Sequence, residues 1–271
     1  MTEGADVTSK GPVLACENIR VVRGKKTILR GITLEVQRGE VLGVLGPSGA
    51  GKSTLFRALV GELPPTDGRV MLGADDVTHW PLWARARAGV AYVPQEPSVL
   101  WDLSVRENLV AYHRIVHGKG FLRGRLKLAG EDAATESLAK RVALEDRLDV
   151  RAGSLSGGER RRLELARAIT REPRVLVCDE PFAGVDPRQA ERLGDMLTEL
   201  GRSGVTVLLA DHHVAEALRV CTRALLVLDG EIAIDAAPAS FREDPIVQGR
   251  YLGTWRGSLP PSMPPPPVSK D

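Results

Sequence analysis

The sequence predicts an α/β fold: a core built on a parallel sheet, with an antiparallel β subdomain ahead of it and a helical subdomain inserted into it. Three observations point there. Short, largely apolar runs recur at 40–45 (EVLGVL), 175–178 (VLVC), 205–209 (VTVLL) and 224–228 (ALLVL), the pattern of strands buried on both faces. Two strand-like runs, 13–22 (VLACENIRVV) and 27–36 (TILRGITLEV), open the chain around a turn at Gly24-Lys25-Lys26. Between about 95 and 171 the strand signals fade and helical patterns rich in Arg and Glu take over.

The 271 residues are enough for one large α/β domain or a domain with an inserted subdomain. Hydrophobic residues make up 43% but aromatics only 4%, so Leu, Val and Ala must fill the core. Net charge is +2, from 37 basic and 35 acidic residues, which gives no general argument for nucleic acid. No apolar run approaches the ~20 residues needed to span a bilayer. Residues 1–12 are polar, lack the apolar stretch of a secretory signal, and read as a disordered leader. Cys16, Cys178 and Cys221 share no C-x-x-C spacing and read as buried, reduced thiols of a cytosolic protein.

After the opening hairpin comes Gly46-Pro47-Ser48-Gly49-Ala50-Gly51-Lys52-Ser53, a full match to the phosphate-loop pattern G-x-x-x-x-G-K-[ST]. The glycines let successive backbone N–H groups turn inward around a triphosphate. Lys52 is placed to reach the β- and γ-phosphates, and the Ser53 hydroxyl to ligate Mg²⁺. The run 40–45 before the loop reads as a buried strand. The run from Thr54 to 60 reads as the opening of a helix, whose N-terminus faces the phosphates. A turn at 63–68 and a short strand at 69–72 follow. From 175 on, strands alternate with helical segments, which makes βαβ units and a parallel sheet. The last residues, 254–271, carry Pro260, Pro261 and Pro264 to Pro267, and read as a flexible tail. No internal repeat is visible.

The apolar strand at 175–178 runs into Asp179-Glu180. Two acidic residues at a strand end are often only a solvated loop. Downstream of a phosphate loop they fit phosphoryl transfer: Asp179 in the Mg²⁺ shell, Glu180 to polarise the attacking water. Leu155-Ser156-Gly157-Gly158-Glu159 precedes an Arg- and Leu-rich helix, so Ser156 and the Gly157 and Gly158 amides form another anion site at its positive end. One compact domain does not need two γ-phosphate sites. A dimer, in which one copy's phosphate loop and the other's LSGGE close on the same ATP, uses both.

With LSGGE the chain resembles the ATP-binding cassette ATPases, whose signature is this run. The resemblance implies a phosphate-loop NTPase core over about 13–253 and further site residues. Gln95 matches the glutamine that senses the γ-phosphate and Mg²⁺. Asp186 matches the aspartate of the dimer contact, and His212 the switch histidine, which register favours over the adjacent His213. It also implies that the position where the family stacks adenine on an aromatic residue is held here by Arg23, whose guanidinium plane can stack instead.

Longer stretches resemble one subfamily, the cytosolic ATPase of the bacterial lipopolysaccharide-export transporter. They are PLWARAR at 81–87, YVPQE at 92–96, LSGGERRR at 155–162, DEPFAGVDP at 179–187, DHHV at 211–214 and YLG at 251–253. The resemblance implies an ATPase on the cytoplasmic face of the inner membrane, partnered by a second copy of itself and by integral permease subunits. The departures are Arg23, the Leu100-Trp101-Asp102 segment, where the subfamily meets its membrane partner with an aromatic and basic residues, and the Pro-rich tail. Two other readings stay open: the ATPase of a branched-chain amino-acid importer, and a soluble cassette protein that clamps nucleic acid. Against the second stand a single cassette, no long coiled-coil insert and no global positive charge. The basic run Arg114, Lys119, Arg123, Arg125 and Lys127 reads as a solvated face. By position the surface that takes a short helix of the membrane subunit runs from Gln95 to Val105. It includes Pro97, Val99, Leu100, Trp101 and Leu103, an apolar set for a loop near solvent.

Overall fold

A computed structural model describes residues 11–116 and 131–252. Of the leader, only Gly11 and Pro12 fall among them. The Pro-rich tail and the basic residues Lys119, Arg123, Arg125 and Lys127 lie outside the described residues.

Two sheets organise the chain. β1 (Leu14–Arg23), β2 (Lys26–Val36), β4 (Asp67–Leu72) and the two-residue β5 (Asp75–Asp76) form an antiparallel sheet in the order β2-β1-β4-β5. β3 (Val41–Leu45), β6 (Val90–Val93), β7 (Val175–Asp179), β8 (Thr206–Ala210), β9 (Arg223–Leu228) and β10 (Glu231–Ala236) form the second, ordered β10-β9-β3-β8-β7-β6. All its neighbours run parallel except β10, which pairs antiparallel with β9. The turn between β1 and β2 is tighter than the sequence suggests. Arg23 pairs directly with Lys26, leaving Gly24 and Lys25 as the loop, with Gly24 at the positive φ such a turn demands.

These runs are apolar at successive positions because the second sheet is covered on both faces. Along β7, Val175 and Val177 join one core while Leu176 and Cys178 join the other. Leu208 and Ala210 against Val207 and Leu209 do the same in β8. One face packs against the antiparallel sheet and α1 (Lys52–Val60), through Leu55, Phe56 and Leu59. The opposite face packs against α5 (Gly157–Ile169), α6 (Pro187–Arg202) and α7 (Val214–Val220). Between β6 and β7 the described elements are helical: α3 (Val105–Val116), α4 (Glu131–Arg141), two short 3₁₀ turns and α5. Among the described residues no helix is long and apolar enough to cross a membrane.

The three cysteines are free and buried, as expected, and burial pushes each thiol up to about 12. The sequence did not mark β6, β10 or the six-residue α2 (Leu82–Arg87). Inside α2, Arg85 is fully buried and donates to the carbonyls of Ala58 and Leu59 at the end of α1 and of Thr78 and Trp80. At Leu59 it supplies a partner to a carbonyl at the helix end, while the Ala58 carbonyl also accepts from the Gly61 amide, and its positive charge suits a helix C-terminus.

Candidate active site

Four parallel strands end at one edge of the second sheet, and each delivers part of the site. The phosphate loop follows β3, Gln95 follows β6, Asp179 closes β7, and Asp211-His212 follow β8.

The loop's shape requires its glycines. Gly46 has φ +150° and Gly51 has φ +110°, and a Cβ on Gly51 would stand 2.8 Å from Cδ2 of Leu29 in β2. The first hairpin is thus packed directly on the loop, and the exposed Arg23 sits at that hairpin's tip. Lys52 opens α1 and is 8% exposed; its ammonium donates to the carbonyls of Gly46 (2.7 Å) and Pro47 (3.0 Å). Burial lowers its pKa, and the nearby carboxylates of Glu180, Asp179 and Asp211 act in the opposite direction. Ser53 donates through Oγ to Oδ1 of Asp179 at 3.2 Å. Asp179 is itself buried, which raises its carboxyl pKa, opposed by the Ser53 hydrogen bond. A hydroxyl and a desolvated carboxylate oxygen side by side make a hard-oxygen donor pair, which suits Mg²⁺.

Gln95 and His212 converge on one atom. Nε2 of Gln95 donates to Oε2 of Glu180 at 3.0 Å, and Nδ1 of His212 lies 3.4 Å from the same oxygen. Of the two histidines, His213 is engaged elsewhere: its Nδ1 is 2.7 Å from Oδ1 of the fully buried Asp211. Asp211 also accepts from the backbone N–H groups of Phe182 and His213, and so holds the chain after Glu180 against the start of α7.

Ser156, Gly157 and Gly158 open α5 through a capping box. The Ser156 hydroxyl accepts from the Glu159 amide at 3.2 Å, and the Glu159 carboxylate accepts from the Ser156 amide at 2.9 Å. Both glycines are forced by close approach. A Cβ on Gly157 would stand 2.6 Å from the Gly184 carbonyl oxygen, and one on Gly158 2.7 Å from Cβ of Gln189. Asp186 caps α6 by accepting from the Gln189 amide at 3.1 Å. The surface assigned to a membrane partner divides. Val99 is buried, so it belongs to the core, not to a groove, whereas Leu100 and Trp101 stand in solvent at 40% and 45% exposure.

Sequence reasoning passed over Arg161 and Glu164. Both are buried in α5 and hydrogen-bonded to the segments around Gln95 and Glu180. The available signal was Arg160-Arg161-Arg162, since three successive residues of a helix cannot all face solvent in a packed helix, with Glu164 three positions on from Arg161.

A parallel sheet that brings a phosphate loop, a buried aspartate and a glutamate ringed by amide and imidazole to one edge is the framework of phosphate-loop ATPases. The family model described as ABC transporter matches residues 29–183. The lipopolysaccharide export system ATP-binding protein LptB of Acidithiobacillus ferridurans is 38% identical over 229 residues, 84% of this chain and 92% of that protein. LptB of Escherichia coli K12 is 38% identical over 240 residues, 89% and 97% of the two chains. A probable ABC transporter ATP-binding protein of Azorhizobium caulinodans is 36% identical over 93% of this chain. Among solved structures, the ADP form of MJ1267, an ATP-binding cassette of an ABC transporter, superposes with a TM-score of 0.80 at 28% identity and covers 89% of this chain and 98% of that one. The chain belongs to the ATP-binding cassette family and is the ATPase of an ABC transporter.

Proposed function

We propose that this chain powers lipopolysaccharide export, working as an ATP-sandwich homodimer beneath integral permease subunits on the cytoplasmic face of the inner membrane. The observation that carries the catalytic part is the convergence of Gln95 and His212 on Oε2 of Glu180. Glu180 takes the proton of the attacking water as the bond between the γ-phosphorus and ADP breaks. Gln95 and His212 hold that carboxylate's aim, and His212 faces the γ-phosphate. Lys52 releases its two carbonyl partners to bind the β- and γ-phosphates, where the loop backbone from Gly46 and Pro47 through Ser48, Gly49, Ala50, Gly51 and Ser53 to Thr54 lines the cradle, every residue but Pro47 having an N–H to offer. Ser53 and Asp179, with Gln95, would hold Mg²⁺, which supplies charge compensation at the phosphates when bound. Arg23 stacks on adenine. Ser156, Gly157 and Gly158 meet the γ-phosphate held by the other copy, and Asp186 meets the dimer contact.

The cargo rests on the DEPFAGVDP and PLWARAR stretches and on the 38% identity to LptB over most of both chains. Nucleotide titration and single-turnover hydrolysis test the site. Lys52→Ala weakens ATP binding at least tenfold, the worth of a charge-assisted contact of about 1.5–3 kcal/mol. Arg23→Ala weakens it only a few-fold, from an exposed cation–π contact of about 0.5–1 kcal/mol. Glu180→Gln keeps the affinity and loses roughly 10²–10⁴ in rate. Undiminished binding by the Lys52 variant sinks the assignment. Capture of the chain from its native membranes recovers lipopolysaccharide-export permeases. Recovery of amino-acid permeases instead removes the cargo and leaves the ATPase intact.

A further inference from the structure

The backbone at Glu180 is held in a conformation its residue type does not favour. Its φ is +51°, in the left-handed region, where a Cβ crowds the following carbonyl oxygen. Such a residue persists only where its surroundings over-determine it. Two neighbours do so here. The Glu180 amide donates to the Ala210 carbonyl of β8 at 2.7 Å. On the other side, Nη2 of Arg161 donates to the Asp179 carbonyl at 2.7 Å and to the Glu180 carbonyl at 2.8 Å, the two peptide oxygens that bracket the Glu180 Cα.

The same guanidinium reaches the Gln95 segment. Nη1 donates to the Pro94 carbonyl at 2.8 Å and to Oε2 of Glu164 at 2.7 Å, so all four terminal N–H groups are used. Oε1 of Glu164 accepts from the Ser98 amide at 2.6 Å, and Nη1 of Arg167 donates to the Ser98 carbonyl at 2.5 Å. Gln95 therefore lies on a short loop gripped at Pro94 and at Ser98 by one helix, α5. That helix also grips Glu180 and begins with Ser156-Gly157-Gly158. An arginine that only filled core space would need acceptors too. What sets Arg161 apart is which acceptors it has: the carbonyls on either side of Glu180 and the one just before Gln95.

We infer that Arg161 is a positioning residue for hydrolysis, fixing the aim of Glu180 and tying it to the Gln95 loop so that a shift of that loop moves the carboxylate. The inference rests on Glu180 acting as the base. Lysine cannot replace it, because an ammonium radiates its donors from one point and cannot span two pairs of acceptors.

The test measures single-turnover hydrolysis, ATP affinity and thermal unfolding on the full chain with Arg161→Lys, Glu180→Gln and the double variant. Arg161→Lys lowers the hydrolytic rate at least tenfold while ATP affinity stays within twofold. In the Glu180→Gln background the same change costs less than twofold more, because the group it positions is already gone. An equal loss in both backgrounds, or no loss in either, overturns the inference. If Arg161→Lys does not fold, Glu164→Gln, which keeps an acceptor for Ser98 and removes the charge opposite the guanidinium, lowers the rate about threefold without changing affinity; an unchanged rate there is equally decisive against it. Failure of the base assignment shows separately, as wild-type hydrolysis by Glu180→Gln alone.

Discussion

At Asp179 one carboxylate is subject to opposing demands. Its place at the end of β7 buries it, and burial raises its pKa above the ordinary 3.8. The folded chain thus keeps a proton here at pH values where the unfolded chain has released it. The ionised form costs stability in full above the folded pKa, and the cost shrinks as pH falls through the interval towards 3.8. Asp179→Asn removes that cost while leaving an acceptor for the Ser53 hydroxyl. We expect the nucleotide-free variant to melt about 2–4 °C higher at neutral pH, on the order of 1 kcal/mol, with the gain fading in acid and Mg²⁺-dependent hydrolysis lost. A lower melting temperature at neutral pH would show that Lys52 and Ser53 already stabilise the charge. The residues of this site that sequence reveals are those whose roles are fixed by neighbours along the chain, as in the phosphate loop or Asp179-Glu180. Arg161 touches residues 18 and 19 positions away on one side and 67 on the other, and nothing local records that.

Among the elements, α5 has two tasks at its first turn. Ser156 satisfies the Glu159 amide, worth about 1 kcal/mol, and is also the residue proposed to meet a γ-phosphate across the dimer. Aspartate separates these tasks. It is as good an N-cap as serine, but it sets a negative charge against phosphate. Ser156→Asp therefore melts within about 2 °C of the parent, while in a Glu180→Gln background it loses the ATP-dependent dimer seen by size exclusion. A dimer that survives the added charge places the phosphate contact elsewhere. The same scale explains which elements could be read. β3, β7, β8 and β9 are buried on both faces and announce themselves as apolar runs. β10, EIAIDA, alternates exposed and half-buried positions at the sheet edge, and β6 has only four residues, two of them half-buried. Strands so short or so exposed leave little apolar signal; pairing with β9 and β7, distant or adjacent in sequence, defines them.

At the scale of the whole molecule, the segment after Gln95, proposed to meet the membrane partner, is a rigidly held platform. Asn108, fully buried in α3, accepts from the Leu100 amide at 2.9 Å and donates to the Leu100 carbonyl at 3.0 Å. The Trp101 carbonyl accepts from the Gly153 amide at 3.0 Å. Val99 and Val105 anchor the loop in the core on either side. With its backbone pinned, the loop holds Leu100 and Trp101 outward, and the Arg160 guanidinium covers one face of the indole 4.5 Å from its centre. Val99 is turned into the core, while Leu100 and Trp101 keep 40% and 45% of their surface exposed. A preorganised apolar pair loses little entropy on docking, which is what a binding hot spot requires. Trp101→Ala then costs the isolated chain less than about 1 kcal/mol, visible as a melting shift of no more than about 4 °C, and leaves ATP affinity unchanged. Assembly with the permease subunits weakens by about 2 kcal/mol or more, some 30-fold, measured by co-purification or by titration into permease-containing vesicles. Asn108→Ala gives the opposite pattern: it leaves the Leu100 amide and carbonyl without partners, and its first effect is a loss of about 1–3 kcal/mol in folding stability. If Trp101→Ala unfolds the isolated chain, or if assembly is indifferent to it, the platform serves the core and not the partner.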